Sequence, residues 1–198
     1  MKKAFSLVEI VIVLFILTAV FFIVVPFSVS NIKQARFISE WKSYMGQVLY
    51  SFETLVEYKK INNLDEKASV ERLMHYLDAK PISDKNKLKS YKYKMMNGNF
   101  YQKMKIDKFD EIYKDTNGRL IGVEYSLENE PYATVWTDLN GKNKPNIVGK
   151  DIFVYEIYPN FVSPYGKGMK MESVKNDCSK TGTGMTCSHY YILGGDLK

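Results

Sequence analysis

Oxygen donors gather in one stretch of this 198-residue chain, T-D-L-N-G-K-N-K-P-N-I-V-G-K-D, running from Thr137 to Asp151. Asp138, Asn140, Asn143, Asn146 and Asp151 supply carboxylate and amide oxygens there, and calcium takes about six to eight oxygen ligands. The spacing is not that of an EF-hand. Lys142 and Asn143 stand where that loop needs an acid or amide and then a glycine, and Gly149 replaces its terminal glutamate. The same residues also read as turn formers, Asn140-Gly141 and Pro145-Asn146 above all. Elsewhere reactive groups are sparse. His75 has no Cys, Asp or second His at ligand or triad spacing, and no G-x-S-x-G, Walker or paired-carboxylate pattern occurs. The chain is not expected to be an enzyme.

The other unusual group is Glu9, inside the apolar run of M-K-K-A-F-S-L-V-E-I-V-I-V-L-F-I-L-T-A-V-F-F-I-V-V-P-F-S-V-S-N-I, Met1 to Ile32, with no later charge before Lys33. A hydrocarbon core about 30 Å thick needs about 20 residues of apolar helix, and Ile10 to Val29 supplies that length. A carboxylate within such a run costs about 2.5 to 3.5 kcal/mol on insertion scales, so it calls for a partner cation. One reading is an ordinary signal anchor with an acid near the headgroups. The other is a chain cut between Ala4 and Phe5, whose new α-amino group lies close before Glu9; a neighbouring copy's amine then neutralises the carboxylate.

The segment K-K-A-F-S-L-V-E-I-V-I-V-L-F-I-L resembles the processing site of the type IV prepilin and type II secretion pseudopilin family, a resemblance covering about the first 30 residues. It implies that a prepilin peptidase cuts on the cytoplasmic side after Ala4, that the amine of Phe5 is methylated, and that Glu9 pairs with the adjacent subunit. Ala4 departs from the Gly usual in the family, which bears on the rate of cleavage. Pro26 stands at a depth where the family's helix often carries a proline; it has no N–H for the Phe22 carbonyl, so a kink or loosening is expected there. Several pseudopilins also carry calcium in a loop beside the sheet. Asp138, Asn140 and Asp151 match that place, though not its spacing.

Charge sets the orientation: Lys2 and Lys3 keep the N-terminus cytoplasmic, placing the rest outside. The formal net charge is +6, and removal of residues 1–4 leaves +4, a mild excess. Lys85, Lys87, Lys89, Lys92 and Lys94 form the densest cluster, but they alternate with polar and tyrosyl positions as a solvated loop and edge strand would, so no nucleic acid partner is expected. Outside the cytoplasm disulfides persist, and Cys178 and Cys187 have only each other to pair with. A zinc site is the weaker alternative, since only His189 stands near them.

These groups need a frame. Ile38, Trp41, Met45, Val48, Phe52 and Leu55 recur at spacings of three and four, so the helix continues past the span as an amphipathic rod, from Phe5 to about Ile61. A shorter helix is expected from Asp65 to Ala79, with Val70, Leu73, Met74 and Leu77 on one side. Tyr91 to Met96 and Phe100 to Ile106 flank Asn97-Gly98 as a hairpin. Ile121 to Leu127, Tyr132 to Thr137 and Ile152 to Tyr158 read as strands, and the pinned loop between the cysteines folds against them. The expected fold is α+β and pilin-like: one long N-terminal helix, part membrane span and part amphipathic, packed on a small antiparallel sheet with a disulfide-pinned C-terminal loop. The expected divisions are a cleaved leader, residues 1–4; a transmembrane or filament-core half-helix, 5–30; and a periplasmic or extracellular domain, 31–198.

The function so implied is that of a structural subunit in a type II secretion pseudopilus or a type IV pilus. Its partners would be the prepilin peptidase, other pilin or pseudopilin subunits and an inner-membrane assembly platform. The alternative is an unprocessed, signal-anchored binding module. Mass spectrometry of the N-terminal peptide separates them: N-methyl-Phe5 is the expected terminus, and an intact Met1 or Lys2 terminus refutes processing.

Overall fold

The computed structural model describes residues 6–58, 66–88, 91–105, 109–126 and 130–196, with the side chains at 23, 25–28, 30, 66, 87 and 101–105 left aside. The expected cut between Ala4 and Phe5 falls outside the described residues. By its contacts the chain separates into two units, one ending at Arg36 and the other running Phe37–Lys198.

Helix α1 (Leu7–Glu57) is 51 residues long. It starts at Ser6 because two side chains satisfy the first free amides. Ser6 Oγ accepts the Val8 N–H at 3.2 Å and Glu9 Oε2 accepts the Ser6 N–H at 2.8 Å, the reciprocal arrangement of a capping box. The helix then runs unbroken through Pro26. Within the first unit its large apolar side chains are exposed, Phe15 by 75% and Phe22 by 74%. Thr18 turns its hydroxyl back onto the Leu14 and Phe15 carbonyls, so that group is satisfied within the helix. Among the described residues no helix is long and apolar enough to cross a membrane.

The second unit is built on the outer part of α1. After it come α2 (Glu66–Tyr76), β1 (Lys80–Pro81), β2 (Lys92–Lys94), β3 (Phe100–Lys105), β4 (Glu111–Lys114), β5 (Leu120–Tyr125), β6 (Ala133–Asp138), β7 (Ile152–Ile157), β8 (Val162–Pro164), α3 (Met171–Asp177) and α4 (Cys187–Ile192). Six strands form one antiparallel sheet in the order β1-β4-β5-β6-β7-β8, and β2 pairs with β3 in a separate hairpin. The expected α+β arrangement, with its long helix, antiparallel sheet and disulfide, is therefore present.

One face of the sheet lies on the helices. Trp41, Tyr44, Met45, Val48, Phe52 and Leu55 meet Ile121, Val123, Val135, Phe153 and Tyr155 in one buried cluster, joined by Val70, Leu73 and Met74 of α2. The expected stripe thus points inward, except that Ile38 is only partly buried. The opposite face is apolar as well. Leu120, Trp136, Ile152 and Val154 pack there against Tyr91, Tyr93, Met95, Phe109 and Val148. Gly122 makes room for this layer, since a Cβ there would sit 2.7 Å from the Phe109 ring. The sheet is buried on both sides because the β2–β3 hairpin and the loop after β6 cover what would otherwise face water. The C-terminal segment carries two short helices where only a loop was expected.

Cys178 and Cys187 are bonded, with Cα atoms 4.8 Å apart. Asp177 organises the loop between them, accepting the Thr183 and Thr186 amides and both their hydroxyls. Burial pushes its carboxyl up, but these hydrogen bonds outweigh burial and hold it below the usual range. The loop is locked to the helix as well, because the Trp41 indole N–H donates to the Ser188 carbonyl at 2.9 Å. Replacing Trp41 with Ala should destabilise the unit by about 3 to 5 kcal/mol, the range for losing a large buried aromatic. Denaturant unfolding of the full chain in detergent measures it, and a loss below about 1 kcal/mol would contradict this packing.

Candidate metal centre

The Thr137 to Asp151 loop leaves β6 and returns into β7, so the sheet itself sets the positions of its two terminal acids. Asp138 is opposite Ile152 at the end of the β6–β7 ladder, and Asp151 directly precedes β7. Both side chains are fully buried. Asp151 acts as the loop's organiser: Oδ1 accepts the Ile147 amide at 2.7 Å, and Oδ2 accepts the Asn146 amide at 2.7 Å and Asn140 Nδ2 at 3.1 Å. Asp138 Oδ1 accepts the Asn140 amide at 3.1 Å.

Asp138 Oδ2 is held by a residue far away in sequence. Tyr91, just before β2, places its phenol oxygen against Asp138 Oδ2 and the Gly141 carbonyl, with Asn146 Oδ1 at 3.0 Å. The phenolic hydrogen is shared among three oxygens, and a proton on the raised Asp138 carboxyl supplies the second hydrogen. In the same loop Asn140 Oδ1 is buried with no hydrogen-bond partner among the described residues. A gathering of oxygens of this kind is one that a hard cation can enter in place of the proton.

Electrostatics points the same way. Burial, and then the charge of Asp151, push the Asp138 carboxyl up to about 9. Burial raises Asp151 to about 6 against the pull of its hydrogen bonds from Ile147, Asn146 and Asn140. A carboxyl pushed up this far holds its proton at neutral pH unless a cation takes the proton's place.

Among the described residues no group of three or more His, Cys, Asp or Glu side chains comes together. The donor set here consists of carboxylate, amide, carbonyl and phenol oxygens, which is calcium's kind of ligand and not the nitrogen and sulfur set of zinc. Asp138, Asn140 Oδ1, the Gly141 carbonyl and Asn146 Oδ1 are the groups that would hold the ion, with Asp151 fixing the loop around them. Of the three residues singled out from sequence, the structure brings all three together and gives Asp151 a positioning part. Tyr91 and Gly141 were missed. Nothing in the spacing connects Tyr91 to this loop; only the pairing of β2 with it does, through the Lys94 amide to the Asn146 carbonyl at 3.0 Å and the Val148 amide to the Lys94 carbonyl at 2.8 Å.

The remaining candidates lie apart from this centre in sequence. Glu9 caps α1, Pro26 lies inside that helix, and the cysteines are consumed by their disulfide, which removes the thiolates a zinc site near His189 would need. His75 is exposed. Gly149, at φ 80°, lets the acid loop close on the disulfide loop, since a Cβ there would lie 2.8 Å from Cys187 Sγ. Compared with family models, curated proteins and solved structures, the chain matches none.

A raised carboxyl fixes the sign of the pH dependence. The folded state keeps protons that the unfolded chain releases near its ordinary value of about 3.9, so these groups make stability fall as pH rises from about 4 through about 6 toward about 9. Calcium should flatten that fall and raise the melting midpoint at pH 8, while Asp138→Asn should stabilise the calcium-free protein there and abolish the calcium response. Thermal melts with calcium and with chelator test it; an unchanged midpoint rules the ion out.

Proposed function

We propose that this chain is a pilin-like (pseudopilin) structural subunit. It is held in the inner membrane with Lys2 and Lys3 cytoplasmic, cut after Ala4 by a prepilin peptidase, methylated on Phe5, and drawn by an assembly platform into a helical filament. That filament is a type II secretion pseudopilus or a type IV pilus. The observation that carries the reading is the K-K-A-F-S-L-V-E motif set at the head of a helix whose first unit leaves its apolar side chains uncovered. Leu7, Phe15, Phe21, Phe22 and Ile32 are each more than 60% exposed, and a contiguous surface of that kind requires lipid or other apolar helices around it. In the membrane the cover is lipid. In the filament it is the same helix of other copies, arranged by a contact that does not close on itself.

Two further features support the reading. Thr18 satisfies its hydroxyl within the helix, as a lipid-facing segment requires. The outer part of α1 forms the core of an α+β unit, so a pull on the helix is borne directly by the domain.

Glu9 has two partners to serve. In the single chain its carboxylate caps α1 through the Ser6 amide; in the filament it takes the methylated amine of a neighbouring Phe5. Glutamine can cap as glutamate does but carries no charge. Glu9→Ala and Glu9→Gln should therefore both leave the protein membrane-bound and cut, and both fail to enter filaments. Rescue of assembly by Glu9→Gln, scored by sheared-filament immunoblot, would show that Glu9 acts only as a cap and would refute the pairing.

A further inference from the structure

The acid loop and the disulfide loop meet at two glycines. Residues 147–150 form a tight turn, closed by the Lys150 amide on the Ile147 carbonyl at 3.0 Å, with Gly149 third at φ 80° as a type II turn requires. The turn is pressed onto the C-terminal segment. A Cβ on Gly149 would lie 2.8 Å from Cys187 Sγ and 2.9 Å from the Gly184 carbonyl oxygen, and one on Gly184 would lie 2.5 Å from the Val148 carbonyl oxygen. Backbone therefore rests directly on the disulfide. Val148, Gly149 and both cysteines are buried, while Ile147 and Lys150 on either side of the glycine turn are partly exposed. The turn thus stands between Cys187 and the surface that its flanking residues reach.

This cover is held from two directions. Asp151 fixes its entry, since Oδ1 accepts the Ile147 amide and Oδ2 the Asn146 amide, each at 2.7 Å. From the other side β2 and the turn after it act as a strap. The Lys94 amide donates to the Asn146 carbonyl and the Lys94 carbonyl accepts the Val148 amide, which ties β2 to the acid loop. Two residues on, the Met96 and Asn97 amides donate to the Thr183 and Gly182 carbonyls of the disulfide loop, both at 3.0 Å. Met96 Sδ lies 3.9 Å from Cys187 Sγ. A group that stiffens the acid centre therefore stiffens the cover over the disulfide.

Thiol–disulfide exchange needs a thiolate to reach a sulfur, so access limits its rate. A buried disulfide is reached through local opening, and a ligand that binds only the closed form suppresses that opening as its occupancy rises. We propose that the turn at 147–150 is a lid over the Cys178–Cys187 disulfide and that calcium holds it shut, the second part resting on the acid centre's taking that ion. The cation-loaded chain keeps its disulfide from dithiols, and the cation-free chain yields it. In the exchange one thiolate of the dithiol attacks Cys187 Sγ and Cys178 leaves as a thiolate. The second thiol then displaces the first, so two electrons and two protons pass to the cysteines and the dithiol becomes a cyclic disulfide.

Reduction of the folded full chain in detergent by excess dithiothreitol at pH 8, read by alkylation of the released thiols and mass spectrometry, tests the proposal. With chelator present, Asp151→Ala should be reduced about tenfold faster than the unaltered chain, because the lid loses the acceptor for two of its amides. Val70→Ala, a core truncation in α2, lowers global stability and should leave the rate near that of the unaltered chain. Calcium should slow reduction of the unaltered chain about tenfold and leave Asp151→Ala fast. Circular dichroism before the reductant is added establishes that each variant is folded. Equal acceleration by Val70→Ala overturns the lid, because reduction then follows global unfolding; so does Asp151→Ala that is reduced no faster. Calcium that raises the melting midpoint without slowing reduction overturns the coupling and leaves the metal centre standing. Calcium that changes neither overturns its control of the lid together with the metal centre.

Discussion

The indole of Trp41 is gripped from two sides. Its ring lies 4.9 Å from that of Phe153 at 12°, a stacked pair across the helix–sheet interface, while its N–H donates to the Ser188 carbonyl in the C-terminal segment. Ser188 Oγ in turn accepts the Val154 amide N–H at 2.8 Å. One side chain on α1 therefore ties together helix, central strand and the pinned tail. Burying an indole without its hydrogen bond would leave a dry donor unpaired, so the tail is bound to this place by polarity as well as by shape. The Cys178–Cys187 bond shortens the unfolded alternatives of the same segment, a contribution of about 2 to 3 kcal/mol in the chain-entropy account.

From that anchor the sheet becomes a two-sided wall. Its helix face makes the spine continuous with the domain; its other face requires a cover of its own, supplied by the Tyr91 hairpin and the loop after β6. The cover is where polar chemistry enters. Asp138 and Asp151 end up buried because they sit at the two ends of paired strands, and a buried acid pair needs neutralising. Tyr91 and Asn146 bridge this pair to the surface, where they form part of the wall of a cavity that Lys92, Lys94, Lys142 and Lys144 also line.

The patterns legible in the sequence are those with a short repeat. The spacing of Trp41 to Leu55 and of Val70 to Leu77 located two helices and their inward faces, and Asn97-Gly98 located a hairpin whose turn glycine has φ 85°. The strands at Leu120, Ala133 and Ile152 fell within one residue of expectation at their starts or ends. The two C-terminal helices were missed: each is under two turns long, set in a stretch full of Gly, Ser and Thr, and held by tertiary contacts instead of by its own propensity. The Ser6–Glu9 capping box has the S-x-x-E pattern in the sequence, so the carboxylate that stands out in the apolar run also has a local partner in the Ser6 amide.

By itself the sequence determined everything that depends on neighbours along the chain: the apolar run with Glu9 in it, the amphipathic continuation of α1, the single cysteine pairing available, and the oxygen-rich loop between two strands. Only the tertiary structure decided which side of the sheet needed a second layer, that Tyr91 reaches an acid 47 residues away, and that the turn at Gly149 closes on the disulfide loop. The physical reason is range. Periodicity and capping are set by side chains within a few residues of one another, whereas a buried charge or a filled concavity is created by segments that become neighbours only once the strands have paired.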